Sequence, residues 1–123
     1  ENNACVLVRR DNGEKISVSL DGLEETVETL LADITASMYN LAMERRERMT
    51  YTAHTFDEMK EIAANKPGFI KAMWCQDPTC ELNLKERCDV TSRCMPFDNE
   101  SVSDICVCCG QKADRLVYWG KAY

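Results

Sequence analysis

Seven of the eight cysteines, Cys75, Cys80, Cys88, Cys94, Cys106, Cys108 and Cys109, fall between residues 75 and 109 of 123, with Cys5 alone near the start. Thiols gathered in this way make either a disulfide framework or a metal site. Two segments have the reach of a chelating turn: Cys75-Gln76-Asp77-Pro78-Thr79-Cys80, and Cys106-Val107-Cys108-Cys109-Gly110, with Pro78 and Gly110 placed to turn the backbone. Two such turns, with residues 81–105 between them, would offer a tetrahedral set of four thiolates. That donor set selects zinc or, less often, an iron–sulfur cluster. Four protein ligands fill the coordination sphere of zinc and leave no place for an activated water, so the expected role is structural. Spacing leaves the fourth place open, because Cys108 adjoins Cys109; the two-residue gap usual in a metal knuckle points to Cys106 with Cys109.

The other chemistry-bearing residues carry weaker patterns. Cys5, Cys88 and Cys94 fit neither pair and read as small buried apolar groups. A redox pair at 106–109 would open a helix after a strand, whereas Gly110 and a following strand are expected here. Arg93, Lys112 and Arg115 could offset the net −2 of a zinc tetrathiolate, or could equally be solvated surface. His54, the single histidine, lies in a polar linker without a partner at ligand spacing. The five glycines are scattered, so no phosphate-cradling loop is present, and Asp57, Glu58 and Glu61 read as a solvated helix face.

The elements that would hold the cysteines can be read from periodicity. Alternation through Cys5–Val8, the turn Asp11-Asn12-Gly13 and Ile16-Ser17-Val18 predict a hairpin over 4–19. Leu20, Leu23, Val27, Leu30, Leu31, Ile34, Met38 and Leu41 recur at three- and four-residue steps, predicting an amphipathic helix over 22–48, with Asp21 as N-cap. Thr55-Phe56-Asp57-Glu58 opens a shorter helix that Pro67-Gly68 follows. Phe69–Trp74 then reads as a strand entering Cys75, Glu81–Arg87 as a short helix, and Ser92–Met95 and Arg115–Trp119 as further strands. The expected fold class is α+β: a long amphipathic helix joined to a small antiparallel-sheet zinc-binding domain. Residues 1–19 would be closing strands of another domain, 20–49 the connecting helix and 50–123 the zinc-binding domain.

Composition limits the function. A net charge of −6, all of it from residues 1–65, gives no general attraction to nucleic acid or anionic lipid. No apolar run approaches the ~20 residues of a membrane span. A start without Met or a basic-then-apolar leader suggests a soluble piece of a longer or processed chain, and long charged helical sequence beside the cysteines, six Met and no cystine-knot-like density favour a reducing, cytoplasmic setting.

The run Gly68-Phe69-Ile70-Lys71-Ala72-Met73-Trp74-Cys75, Glu81 directly after Cys80, Thr91-Ser92-Arg93-Cys94-Met95-Pro96, Cys106–Gly110 and a final aromatic strand ending at Tyr123 occur in an order that resembles the C-terminal region of prolyl-tRNA synthetases of the eukaryote- and archaeon-like type. Val8–Lys15 resembles the last strands of that family's anticodon-binding domain. The resemblance implies zinc ligands at Cys75, Cys80, Cys106 and Cys109, and a terminal Tyr123 that approaches the catalytic domain's active site. It also implies a homodimeric parent that uses ATP and Mg²⁺ to attach proline to tRNA(Pro), with this segment serving the catalytic and anticodon-binding domains of the same chain. The family's ATP- and proline-binding motifs are absent from these residues, so the chain alone would not catalyse the reaction. Two rivals remain at this point: a free-standing zinc module for protein or nucleic acid, and a thiol redox protein.

Overall fold

The computed structural model describes residues 3–121. The chain divides into two compact units, Glu1–Arg45 and Arg46–Tyr123.

In the first unit, strands β1 (Ala4–Val8) and β2 (Lys15–Ser19) pair antiparallel, with Val6 opposite Ser17. Period-2 alternation puts Cys5, Leu7, Ile16 and Val18 on one half-buried face and leaves Val6 and Val8 exposed on the other. Gly13, at φ +77°, closes the connection, its N–H donating to the Arg9 carbonyl at 3.0 Å. Helix α1 (Leu23–Arg48) follows. Its predicted N-cap is not formed: Gly22 takes φ +75° ahead of the first turn, and the Asp21 carboxylate instead accepts from the Asn3 side chain at 3.2 Å. Leu23, Val27, Leu30 and Ile34 are half-buried, while Leu31, Met38 and Leu41 stay exposed, and no residue of α1 is fully buried.

Arg9 ties hairpin to helix. Its guanidinium is buried, donates twice to Asp11 (2.8 and 3.1 Å), and reaches Asp33 and the Ser37 hydroxyl (3.3 Å) on α1. The hydrogen bonds from Arg9 hold the Asp11 carboxyl below its ordinary pKa.

The second unit contains β3 (Thr50–Thr52), α2 (Phe56–Asn65), β4 (Phe69–Trp74), α3 (Pro78–Cys88), β5 (Val90–Cys94) and β6 (Arg115–Lys121). The sheet order is β3-β4-β6-β5. Strand β6 runs antiparallel to both neighbours, and β3, which periodicity does not announce, adds a parallel edge beside β4. Thr55 caps α2 by accepting from the Glu58 N–H at 3.2 Å. Gly68, at φ +132°, brings the chain against α1's end, where the Phe69 N–H donates to the Met49 carbonyl at 2.8 Å; a Cβ on Gly68 would lie 2.0 Å from that oxygen. Helices α2 and α3 cover one sheet face over a core that includes Met59, Ala63, Ile70, Ala72, Leu84, Val90, Val117 and Trp119. A second cluster, Met73, Cys80, Cys106, Ala113 and Leu116, lies at the cysteine end. The architecture is α+β with a small, mostly antiparallel sheet.

Candidate metal centre

Each cysteine pair is fixed by backbone hydrogen bonds. Strand β4 delivers Cys75, after which Gln76 adopts a left-handed φ of +66° and reverses the chain. Asp77 caps α3, its carboxylate accepting from the Thr79 N–H at 2.8 Å, while its carbonyl accepts from the Cys80 N–H at 3.0 Å and the Trp74 indole at 3.1 Å. Pro78 therefore opens a helix, where a fixed φ and a missing N–H carry no penalty, and does not merely turn a loop. Cys80 consequently sits in the first turn of α3, whose helix dipole favours a thiolate.

The other pair sits on a tight hairpin. The Cys106 N–H donates to the Gln111 carbonyl at 2.7 Å, and the Gly110 N–H donates back to the Cys106 carbonyl at 2.9 Å, with Gly110 at φ +71°. The Val107 N–H donates to the Met73 carbonyl at 3.0 Å, which fastens this hairpin to β4 just before Cys75.

These two supports bring the sulfurs of Cys75, Cys80, Cys106 and Cys109 within 4.8 Å of one another. The Cys75–Cys80 and Cys75–Cys109 Sγ separations are both 3.7 Å. A disulfide requires about 2.05 Å. Four sulfurs about 2.3 Å from one tetrahedral ion would stand about 3.8 Å apart. The spacing matches the second arrangement, and all eight cysteines are free thiols. Cys80 and Cys106 are buried, Cys75 is half-buried and Cys109 exposed, so the group is closed on its inner side. Burial pushes the Cys75 and Cys80 thiols up. At Cys106 burial acts in the same direction but is outweighed by the backbone N–H groups of Cys109, Cys108 and Cys75, and its pKa falls. Four thiolates this close together repel one another, and a cation at their centre would offset that repulsion.

The remaining thiols go elsewhere. Cys108 is outside the group and packs half-buried against both core clusters; Cys88 lies in the main core; burial raises both. Cys94 is exposed at the end of β5 and Cys5 is half-buried in the hairpin. Arg93 donates to the carbonyls of Gly120 (3.3 Å) and Lys121, which occupies it at the end of β6, and Lys112 and Arg115 are exposed. His54 is exposed, with its backbone N–H donating to the Glu58 carboxylate at 2.8 Å. Tyr123 lies outside the described residues. Among the described residues, no helix is long and apolar enough to cross a membrane.

Comparison with known proteins agrees along the whole chain. The family model described as "Prolyl-tRNA synthetase, C-terminal" matches residues 56–123. A proline–tRNA ligase of Clostridium novyi (strain NT) is 58% identical over 123 residues, all of this chain and 26% of that protein. One of Clostridium botulinum (strain Loch Maree / Type A3) is 55% identical with the same coverage. The crystal structure of prolyl-tRNA synthetase from Cryptosporidium parvum complexed with L-proline and AMP superposes with a TM-score of 0.90 at 26% identity, covering 99% of this chain and 26% of that one. The chain thus spans about a quarter of the length of the relatives it matches. By sequence over more than half its length and by fold over nearly all of it, the chain belongs to the prolyl-tRNA synthetase C-terminal family.

Proposed function

We propose that this chain is the C-terminal module of a proline–tRNA ligase and that Cys75, Cys80, Cys106 and Cys109 hold one structural Zn²⁺. The observation that carries the zinc assignment is the sulfur spacing: Cys75 Sγ stands 3.7 Å from those of Cys80 and Cys109 and all four lie within 4.8 Å, close to what a shared tetrahedral ion needs and too far for a disulfide. An all-sulfur donor set favours zinc over the hard cations, and four protein ligands leave no open position for water activation. The module's work is therefore to hold shape. The ligase containing it would attach proline to tRNA(Pro) with ATP and Mg²⁺, in the cytoplasm and as a homodimer, the chemistry residing in other domains of that chain. This module would pack on the catalytic and anticodon-binding domains, with Tyr123 approaching the active-site edge, where an aromatic body and an acceptor at its tip suit a partly apolar contact.

Metal analysis combined with thiol titration tests the centre. One Zn²⁺ per chain and four thiols that react only after chelation or unfolding are expected. A folded, metal-free sample whose eight thiols all react at similar rates would refute it.

A further inference from the structure

The four sulfurs of the metal centre differ in their access to water. Cys80 and Cys106 are 4% and 1% exposed, whereas Cys75 is half-buried and Cys109 is exposed. Cys109 begins a run of exposed residues that continues through Lys112 at the tip of its hairpin, and a Cβ built on Gly110 would meet nothing within 4 Å. Small solutes therefore reach this sulfur first. The thiolate, the form in which cysteine ligates a metal, is also its nucleophilic form, and oxidation selects thiolates that are accessible.

Cys109 also has a second thiol in place. The Cys75 Sγ stands 3.7 Å away, a gap that side-chain torsions can close to the ~2.05 Å of a disulfide. The bases of the two turns are tied to each other by bonds that do not involve the sulfurs. The Val107 N–H donates to the Met73 carbonyl at 3.0 Å, and the Gln76 side-chain amide donates to the Asp114 carboxylate at 3.1 Å. Cys80 stands equally near Cys75, but it is closed off from water and its N–H is bonded to the Asp77 carbonyl in the first turn of α3. Cys108, next to Cys109 in sequence, packs on the core clusters instead.

We infer that Cys75 and Cys109 form an oxidation site, at which a hydroperoxide such as hydrogen peroxide joins the two outer thiolates of the centre as a disulfide and so discharges the metal. The inference rests on the proposed zinc centre and adds a reaction of its thiols. The Cys109 sulfur attacks one peroxide oxygen, the O–O bond breaks, and a sulfenic acid forms as hydroxide leaves. The Cys75 sulfur then attacks the sulfenic sulfur, the S–O bond breaks, and a second hydroxide leaves. Each sulfur has lost one electron, the peroxide has gained two, and two protons from solvent convert both hydroxides to water. Cys80 and Cys106 remain as two ligands, half of what a closed zinc site uses. The metal tie in the second unit thus becomes conditional on peroxide.

The test exposes the zinc-loaded chain to hydrogen peroxide beside a chromophoric zinc indicator, blocks the remaining thiols and maps the first disulfide by tandem mass spectrometry of a digest. Zinc should leave at least about tenfold faster than without peroxide, with one Cys75–Cys109 disulfide formed for each ion released, and a dithiol reductant with added zinc should restore the starting state. The variant Cys108→Ser should behave in the same way. In a chain that holds zinc, unchanged release, release with no disulfide, a first disulfide that includes any other cysteine, or a reaction that Cys108→Ser abolishes would overturn the oxidation site alone. A folded chain that holds no zinc before peroxide is added would overturn the functional reading, and this inference with it.

Discussion

Cys108 and Cys109 are adjacent and chemically identical, yet only Cys109 joins the sulfur group, because the Cys106–Gly110 turn directs residue 109 toward Cys75 and packs residue 108 on the core. Cys80→Ser or Cys109→Ser should therefore abolish zinc retention after dialysis, whereas Cys108→Ser should keep one zinc per chain; atomic absorption on the three variants decides this. Gly68 makes a different demand. With a Cβ 2.0 Å from the Met49 oxygen and a φ of +132°, Gly68→Ala should cost on the order of 3 kcal/mol, measured by urea unfolding. The two cysteine pairs that the fold brings together were legible from spacing, but only the usual two-residue gap pointed to Cys109 over Cys108, since the choice depends on which way a turn faces. Arg9 was missed altogether as an anchor: its partners Asp33 and Ser37 lie a helix away, and no local pattern announces so distant a pairing.

Most elements could be read because their periods are long enough to count, as in α1 and α2. Strand β3 could not, since three residues, Thr50–Thr52, carry no measurable alternation and owe their conformation to pairing with β4. The start of α3 was placed late because Pro78 serves both turns and first helical positions, and only the Asp77 cap distinguishes them. Within the first unit, the Arg9–Asp11 pair gives a pH dependence with a definite sign. The Asp11 pKa is lowered in the fold, so its contribution is complete above the unfolded value of about 3.9 and is lost as pH falls through the lower folded value. Exchange protection of the hairpin amides should therefore drop below about pH 4, and Asp11→Asn should flatten that dependence.

At the scale of the whole molecule, one ion would join segments separated by residues 81–105. A structural zinc can contribute on the order of 10 kcal/mol, comparable to the entire stability of a domain this size. Chelation should therefore unfold the second unit. Trp119, wholly buried, and Trp74, next to Cys75, make tryptophan emission the measurement: a red shift on chelation that zinc reverses is expected, and an unchanged spectrum would argue against the metal's role. The sheet order has a consequence for biosynthesis as well. Strand β6 is made after every other strand yet lies between β4 and β5. A nascent polypeptide emerging from the ribosome cannot complete this sheet until Arg115–Lys121 have cleared the exit tunnel, and a product cut short before Arg115 would leave two naked strand edges for proteases to find.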